Sequence, residues 1–365
     1  MSEAFSLVDL KVRFDTKRGA LNAVRGATLH VAAGECLGVV GESGSGKTVM
    51  WRAAMGLLRG KRVTREGSVK LDGTELLTMT AKEVRQLWGT KIAMVFQDPM
   101  TALNPVRRIG SQFSEALIKR LGMSKDEAAA RTLELLKLVR MPEPEKLVRK
   151  YPHQLSGGMR QRVMIAMAIA CNPKVLLADE PTTALDVTVQ AQILDLLSDL
   201  REKLGMAMVI VTHDLGIVAG HSDRIAVMYA GEVVELATTA ELFANTRMPY
   251  TEALLNSIPK LTDTSTSRMR AIPGSPPDPV STVSGCCSRQ LRNRPQCVSR
   301  NGKPPLSGQS AFLSINNALA LQMVPDASAS TVAVLPAKVL TDICTDIHMY
   351  MPSNWAAPGS VGMLT

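Results

Sequence analysis

A glycine-rich run ending in Lys47 and Thr48 has the composition of a phosphate-binding loop. Its spacing is G-x-x-x-x-G-K-[ST], and its members are Gly41, Glu42, Ser43, Gly44, Ser45, Gly46, Lys47 and Thr48. Glycines let successive backbone N–H groups point into one concavity, and the helix start that follows adds partial positive charge. In this pattern Lys47 reaches the β- and γ-phosphates and Thr48 offers its hydroxyl to Mg²⁺. A Gly-rich turn before a helix is the alternative, but it does not account for both polar residues.

Two carboxylates follow a short apolar run farther along the chain. Asp179 and Glu180 come directly after residues 175–178, which are all apolar and typical of a buried strand. In an open parallel sheet, ligands bind beyond the carboxyl ends of the strands. Asp179 is therefore expected to hold Mg²⁺, and Glu180 to polarise a water molecule in line with the γ-phosphate. A surface acidic pair is the alternative for these two residues taken alone.

Alternating strands and helices must position these groups. Residues 5–15 and 26–40 are predicted to be rich in strand. Further strands are predicted at residues 92–96, 175–178 and 207–211, and helices at 47–58, 81–88, 157–170 and 189–204. Continuous apolar strands that alternate with helices imply an α/β fold with a parallel sheet covered on both faces. Residues 109–148 have helical periodicity and interrupt the alternation as an inserted unit. Within them, Ser124 and Glu127 have the spacing of a capping box.

Composition narrows the class of protein. The 365 residues are 45% hydrophobic and 21% charged, which is typical of a globular chain, and only 4% are aromatic. Part of the net charge of +9 lies in residues 259–305, which hold eight basic and two acidic side chains. We interpret that stretch as a solvated linker, because it has no basic amphipathic helix and no interleaved aromatic residues. We expect neither a secretory signal nor a membrane-spanning helix.

Further motifs occur in a fixed order around the phosphate loop. Gln97 ends the strand at 92–96, Asp186 follows the acidic pair, and His213 lies just past the strand at 207–211. A helix start is preceded by the LSGGM segment, which consists of Leu155, Ser156, Gly157, Gly158 and Met159. Together with the phosphate loop, this set resembles the nucleotide-binding subunit of ATP-binding cassette transporters. That family carries LSGGQ at the signature segment, so the last residue differs here.

The resemblance implies a chemical role for each motif. The implied catalytic residues are Glu180, His213 and Lys47, and the implied Mg²⁺ ligands are Thr48, Gln97 and Asp179. Gln97 would also sense the γ-phosphate, and His213 would contact that phosphate and position the attacking water. ATP itself would be bound by residues 41–48, Gln97 and Phe14. Phe14 is the candidate for stacking on adenine, and packing in the core is its alternative.

The resemblance also implies that the site is shared between two subunits. Residues 155–159 would close over the ATP held by the phosphate loop of a second subunit, with Asp186 at the seam. The start of the helix after Ser156 is suited to this role because it attracts anions. A simple helix cap by Ser156 is compatible with it.

Within that family, the chain resembles the oligopeptide and dipeptide importer branch. The segments that carry it are residues 96–105, 151–154, 157–167, 250–259 and 272–277. The resemblance implies an ATP-hydrolysing subunit, peripheral on the cytoplasmic face of the inner or plasma membrane, that energises import of di- or oligopeptides. Its implied partners are a second nucleotide-binding subunit, membrane permease subunits and, indirectly, a solute-binding protein. Import of nickel or glutathione, or a non-transport ATPase acting on nucleic acid or the ribosome, stay open as alternatives, although no nucleic-acid partner is expected.

The implied architecture is a P-loop NTPase cassette with a parallel-sheet core, an N-terminal antiparallel β-subdomain and an inserted helical subdomain. We expect the cassette at residues 1–258 with the helical subdomain at about 100–156, a basic Pro/Ser-rich extension at 259–305 and an atypical tail at 306–365. An iron–sulfur cluster in the extension is not expected, because Cys286, Cys287 and Cys297 do not match the pattern of such clusters. ATP and Mg²⁺ are the expected cofactors.

Overall fold

A computed structural model of the chain describes residues 3–183, 185–258, 277–278 and 280. The strands are β1 (Glu3–Thr16), β2 (Gly19–Ala32), β3 (Cys36–Val40), β4 (Val63–Leu71), β5 (Thr74–Glu75), β6 (Ile92–Val95), β7 (Val175–Asp179), β8 (Ala207–Thr212), β9 (Arg224–Tyr229) and β10 (Glu232–Thr238). The helices are α1 (Lys47–Ala54), α2 (Ala81–Leu87), α3 (Pro99–Ala102), α4 (Ile109–Leu121), α5 (Lys125–Leu138), α6 (Pro144–Leu147), α7 (Gly157–Ala168), α8 (Val187–Leu204), α9 (Leu215–Ala219), α10 (Thr239–Ala244) and α11 (Pro249–Asn256).

The first part of the chain forms an antiparallel sheet with the order β2-β1-β4-β5. Buried and exposed residues alternate along much of β1 and β2, as expected for strands with one face on a core. The sequence predicted strand-rich structure over residues 26–40, with a strand that ends at Val40 before the phosphate loop. The structure ends β2 at Ala32 and begins β3 at Cys36, because a tight turn carries the chain from one sheet to the other. Gly34 in this turn has a φ of 75°, which glycine adopts without a steric penalty.

A second sheet has the order β10-β9-β3-β8-β7-β6. All neighbouring pairs from β9 to β6 are parallel, and β10 is antiparallel to β9. Every residue of β3, β6, β7 and β8 is buried, which confirms the predicted sheet covered on both faces. The carboxyl ends of these four strands lie at one edge of the sheet and lead into the phosphate loop, Gln97, Glu180 and His213.

The segment between β6 and α7 is helical and contributes no strand to either sheet. The stretch with predicted helical periodicity forms three helices, α4, α5 and α6. Gly122 ends α4 in the left-handed conformation. The predicted capping box at the start of α5 is confirmed. The Ser124 hydroxyl accepts from the Glu127 backbone N–H at 3.3 Å, and the Glu127 carboxylate accepts from the Ser124 N–H at 2.8 Å.

Two apolar cores lie on opposite faces of the parallel sheet. Side chains alternate between them along β3: Cys36 and Val40 pack into one core, and Leu37 and Val39 into the other. The first core includes α5, α7 and α8, and the second includes α1 and the antiparallel sheet. The sheet therefore joins the helical half of the molecule to its β-rich half.

Within the described residues, no helix has the length and apolarity that a membrane crossing requires. Cys286, Cys287, Cys297 and the predicted tail at 306–365 lie outside the described residues. The proposed domain boundaries and the iron–sulfur interpretation therefore stay predictions.

Candidate active site

The phosphate loop connects β3 to α1 and lies close against β9. A Cβ atom on Gly41 would stand 2.1 Å from the Met228 carbonyl oxygen, so only glycine fits at this position. Lys47 is 5% exposed, and its ammonium donates to the carbonyl oxygens of Gly41 at 2.6 Å and Glu42 at 2.9 Å. Burial lowers the pKa of Lys47, and the nearby carboxylates of Glu180 and Asp179 oppose that shift. The loop thus holds a buried cation among backbone groups that can receive phosphate.

Thr48 and Asp179 meet directly beside the loop. The Thr48 hydroxyl donates to Asp179 Oδ1 at 2.9 Å, although the two residues are 131 positions apart. Asp179 is 1% exposed, and burial raises the pKa of its carboxyl. Its Oδ2 atom has no hydrogen-bond partner among the described residues, and the Arg52 guanidinium is 3.9 Å away. A buried carboxylate oxygen beside a hydroxyl oxygen is a donor set that suits a hard divalent cation.

Glu180 lies at the centre of a second group of side chains. Its Oε2 atom accepts from Gln97 Nε2 and from the Thr183 hydroxyl, each at 2.9 Å. Its Oε1 atom is 3.4 Å from Nδ1 of His213, whose side chain is 58% exposed. The structure therefore brings Gln97, Glu180 and His213 together at the ends of β6, β7 and β8.

The backbone of Glu180 explains how its carboxylate reaches these partners. Its φ is 47°, a left-handed conformation that is uncommon for a residue with a side chain. Its N–H donates to the Val211 carbonyl of β8 at 2.8 Å, which holds the turn at the end of β7 in place. The side chain thereby leaves the sheet toward Gln97 and His213. A carboxylate held in this way is suited to accept a proton from a water molecule.

The LSGGM segment lies at the start of α7. The Ser156 hydroxyl caps the helix by accepting from the Met159 N–H at 3.3 Å, so its expected capping role is confirmed. A Cβ atom on Gly158 would meet Val189 of α8 at 2.9 Å. Across the described part of the chain, residues 155–159 form no hydrogen bond with residues 41–48. The hydrogen bonds of the described residues thus do not join this segment to its own phosphate loop.

Asp186 caps a helix and Phe14 packs in a core. The Asp186 carboxylate caps α8 by accepting from the Val189 N–H at 2.9 Å. Phe14 is 6% exposed and belongs to the core formed by the antiparallel sheet, which is the alternative that the sequence left open. The position of Asp186 at a subunit seam and the adenine contact of Phe14 stay predictions.

Sequence reasoning missed two side chains of the site. Thr183 donates to Glu180, and Arg52 approaches Asp179. Thr183 follows Glu180 by three positions, so a local hydroxyl–carboxylate contact could have been considered from the spacing alone. Arg52 carried no comparable signal, because its distance to Asp179 depends on how α1 packs against β7.

The fold and the site together define an ATP-binding cassette with the residues of an ATPase. The ABC transporter family model matches residues 24–183, and the model for the oligopeptide/dipeptide transporter C-terminal region matches residues 234–293. The first range holds the phosphate loop and the acidic pair, and the second holds α10 and α11.

Curated relatives specify the branch of this class. The oligopeptide transport ATP-binding protein OppD of Bacillus subtilis (strain 168) is 50% identical over 271 residues, covering 74% of this chain and 76% of that protein. The dipeptide transport ATP-binding protein DppD of Haemophilus influenzae is 51% identical over 279 residues, covering 76% of this chain and 84% of that protein. The chain belongs to the oligopeptide/dipeptide transport ATP-binding proteins of the ABC transporter family.

Solved structures show the same cassette fold. A bacterial ABC transporter cassette solved as a dimer is 32% identical, with a TM-score of 0.58 and coverage of 64% of this chain and 98% of its own. The cbiO1 cassette of Clostridium perfringens, part of the cbiONQ ABC transporter complex, is 28% identical with a TM-score of 0.58, covering 67% of this chain and 92% of its own. The expected cassette fold is therefore confirmed.

Proposed function

We propose that this chain hydrolyses ATP to energise the import of dipeptides or oligopeptides through a membrane permease. The observation that carries the proposal is the presence of both matched regions in one chain. One holds the phosphate loop and the acidic pair, and the other matches the C-terminal region of oligopeptide/dipeptide transporters. The named oligopeptide and dipeptide transport relatives align over about three quarters of the chain.

ATP is proposed to bind together with Mg²⁺. Thr48, Asp179 and Gln97 present a hydroxyl, a carboxylate and an amide oxygen, all of which are ligands that Mg²⁺ accepts. The buried Asp179 Oδ2, which has no hydrogen-bond donor among the described residues, supports the assignment. When bound, the ion supplies neutralisation of the phosphate charge.

Lys47 is proposed to exchange its hydrogen-bond acceptors when ATP binds. Its ammonium donates to the carbonyl oxygens of Gly41 and Glu42, which are neutral acceptors. Phosphate oxygens are charged acceptors and form shorter, stronger hydrogen bonds with an ammonium group. Lys47 would therefore turn toward the phosphates while the backbone N–H groups of the loop hold them from the other side.

Glu180 is proposed to take the proton from the attacking water. To do so, its Oε2 atom must exchange the hydrogen bond from Gln97 for one from that water. Thr183 keeps the carboxylate oriented during this exchange, and His213 faces the same oxygen pair from the edge of β8. The position of Gln97 thereby determines whether the base is accessible.

A second cassette, either a sibling chain or another copy, is proposed to complete the site. Residues 155–159 would cover the ATP of that partner, and among the described residues they form no hydrogen bond with their own loop. The anion-attracting start of α7 suits this role. ATP binding would then draw the two cassettes together, and hydrolysis would release them.

Movement of the cassettes is proposed to act on permease subunits docked near residues 97–108, at the cytoplasmic face of the membrane. This region links Gln97, which contacts Glu180, to the helical segment through α3. An extracytoplasmic solute-binding protein would deliver the peptide without touching this chain.

The proposal can be tested by purifying the chain together with the products of its neighbouring genes. We expect a membrane permease to co-purify, and we expect ATPase activity in proteoliposomes to rise when a solute-binding protein loaded with di- or oligopeptides is added. A matched complex carrying Glu180→Gln should show no rise.

Different results would contradict the peptide assignment. Stimulation by nickel or glutathione, with no response to peptides, would place the chain in a non-peptide importer. Recovery of ribosomes or DNA without any membrane protein would remove it from transport.

A further inference from the structure

A tyrosine of the C-terminal region reaches the phosphate loop of the cassette. Tyr250 lies in the first turn of α11 and is fully buried. Its hydroxyl accepts a hydrogen bond from the backbone N–H of Glu42 at 3.0 Å, across 208 positions of sequence. None of the motifs assigns a role to this residue, although it falls within the region particular to peptide transporters.

The contact fixes one peptide unit of the loop. The N–H of Glu42 and the carbonyl of Gly41 belong to the same planar peptide group, so holding one orients the other. That carbonyl accepts from the Lys47 ammonium at 2.6 Å. Tyr250 and Lys47 therefore hold opposite sides of one peptide group, and the orientation of this group determines where the ammonium can lie.

Tyr250 is supported in two ways, by a contact of its ring and by hydrogen bonds at the start of its helix. Its centroid is 4.4 Å from that of Tyr229, at the end of β9, next to the Met228 carbonyl against which Gly41 packs. The start of α11 is anchored by the buried carboxylate of Glu235, which accepts from the backbone N–H groups of Arg247 at 2.8 Å and Met248 at 3.2 Å. The hydroxyl thus reaches Glu42 from a rigid support.

We propose that Tyr250 is a positioning residue for nucleotide binding, through which the C-terminal region determines the affinity of the phosphate loop for nucleotide. Loss of the hydroxyl leaves the part-buried N–H of Glu42 without its acceptor. The Gly41–Glu42 peptide group can then rotate, and Lys47 loses its alignment. This inference concerns nucleotide binding alone and does not depend on which solute the transporter carries.

The test compares Tyr250→Phe with Thr251→Val in the full chain. Thr251 is the next residue of α11, is equally buried, and its hydroxyl has no hydrogen-bond partner among the described residues. Both variants remove one buried hydroxyl at nearly constant volume, but only Tyr250→Phe removes a contact with the loop. Binding of Mg·ADP is measured by calorimetry, and unfolding in urea is measured on the same samples.

We expect Tyr250→Phe to raise the dissociation constant for Mg·ADP by about fivefold, as for one lost hydrogen bond. Thr251→Val should bind as the parent chain does. In the assembled transporter, Tyr250→Phe should raise KM for ATP and leave kcat within about twofold, since Glu180 and its partners are untouched. A purely structural tyrosine would lower the unfolding midpoint and leave the affinity of the folded chain unchanged.

A second variant keeps the test open if Tyr250→Phe does not fold. Glu235→Gln retains Tyr250 but offers only one acceptor oxygen for the two N–H groups at the start of α11, so it should weaken Mg·ADP binding in the same direction. Equal Mg·ADP affinity in the parent and in the folded variants would overturn the proposal.

Discussion

At the residue scale, Glu180 combines an uncommon backbone with a constrained side chain. Its left-handed φ of 47° costs on the order of 1–2 kcal/mol for a residue with a Cβ atom. The hydrogen bond from its N–H to Val211 and the side-chain contacts with Gln97 and Thr183 offset that cost. Strained backbone held by its surroundings is typical of functional positions, which agrees with the proposed general base.

The first prediction concerns the Glu180 carboxylate. Glu180→Gln should bind Mg·ATP as tightly as the parent chain, because Gln97 and Thr183 can still donate to an amide oxygen. ATP turnover in the assembled transporter should fall by about 10²–10⁴, since an amide cannot take the proton from water. Phosphate release and nucleotide binding are measured in parallel.

Glu202→Gln is the matched control for this prediction. Its side chain is 74% exposed on α8, and its ion pair there is with Arg201, outside the site, so turnover of the variant should equal that of the parent. Undiminished turnover in Glu180→Gln would remove Glu180 from the role of base.

At the element scale, helix starts determine which groups face the nucleotide. Two serines cap helices with the same geometry: Ser124 accepts from Glu127 at 3.3 Å, and Ser156 accepts from Met159 at 3.3 Å. Only the second lies in the segment proposed to cover the ATP of a partner cassette. A comparison of Ser124 with Ser156 therefore distinguishes the capping of a helix from the proposed closure of one cassette over the ATP of the other.

The second prediction compares Ser156→Ala with Ser124→Ala. Each should lower the free energy of unfolding by about 1 kcal/mol, because each leaves a helix N–H without its cap. Only Ser156→Ala should also lower the ATPase rate of the paired cassettes. Urea unfolding of the single chain and turnover of the complex distinguish the two effects, and an equal loss of turnover in both variants would contradict the closure role.

At the scale of the whole molecule, the parallel sheet connects two cores that otherwise lie apart. Phe5 of the antiparallel sheet packs on Trp51 of α1 with ring centroids 5.8 Å apart, whereas Cys36 faces the helical core on the other side of β3. Burial raises the pKa of the Cys36 thiol to about 12, so at pH 8 it is protonated and unreactive in the folded chain. Its alkylation therefore requires the fold around β3 to open.

The third prediction is that damage to one core exposes the other. Phe5→Ala should lower the free energy of unfolding by about 3–5 kcal/mol, because it leaves a cavity beside Trp51. We expect the two cores to unfold together, so alkylation of Cys36 at pH 8 should then accelerate on the order of 10²–10⁴-fold. Mass spectrometry of the peptide that contains Cys36 measures the rate.

Phe243→Ala provides the control, because Phe243 is 40% exposed on α10 and its loss should leave the rate nearly unchanged. If Phe5→Ala lowers stability but Cys36 stays protected, the two halves unfold independently.

The sequence by itself determined the phosphate loop, the acidic end of β7 and the capping box of α5. These features depend on short spacings and on local hydrogen bonds, which a linear pattern encodes. Alternating apolar strands and helices also sufficed for the class of fold. The strand-rich pattern of residues 26–40 did not show that β2 and β3 belong to different sheets, because a run of strand-forming residues does not reveal where the chain changes sheets.

Only the tertiary structure decided which distant groups meet. The contacts of Thr48 with Asp179, of Gln97 with Glu180 and of Glu42 with Tyr250 join residues 131, 83 and 208 positions apart. Such contacts depend on strand order and on the packing of α11 against β9, and neither is encoded by local spacing. The sequence thus specified the chemical groups of the site, and the fold specified their partners, because hydrogen bonds require distances that only packing fixes.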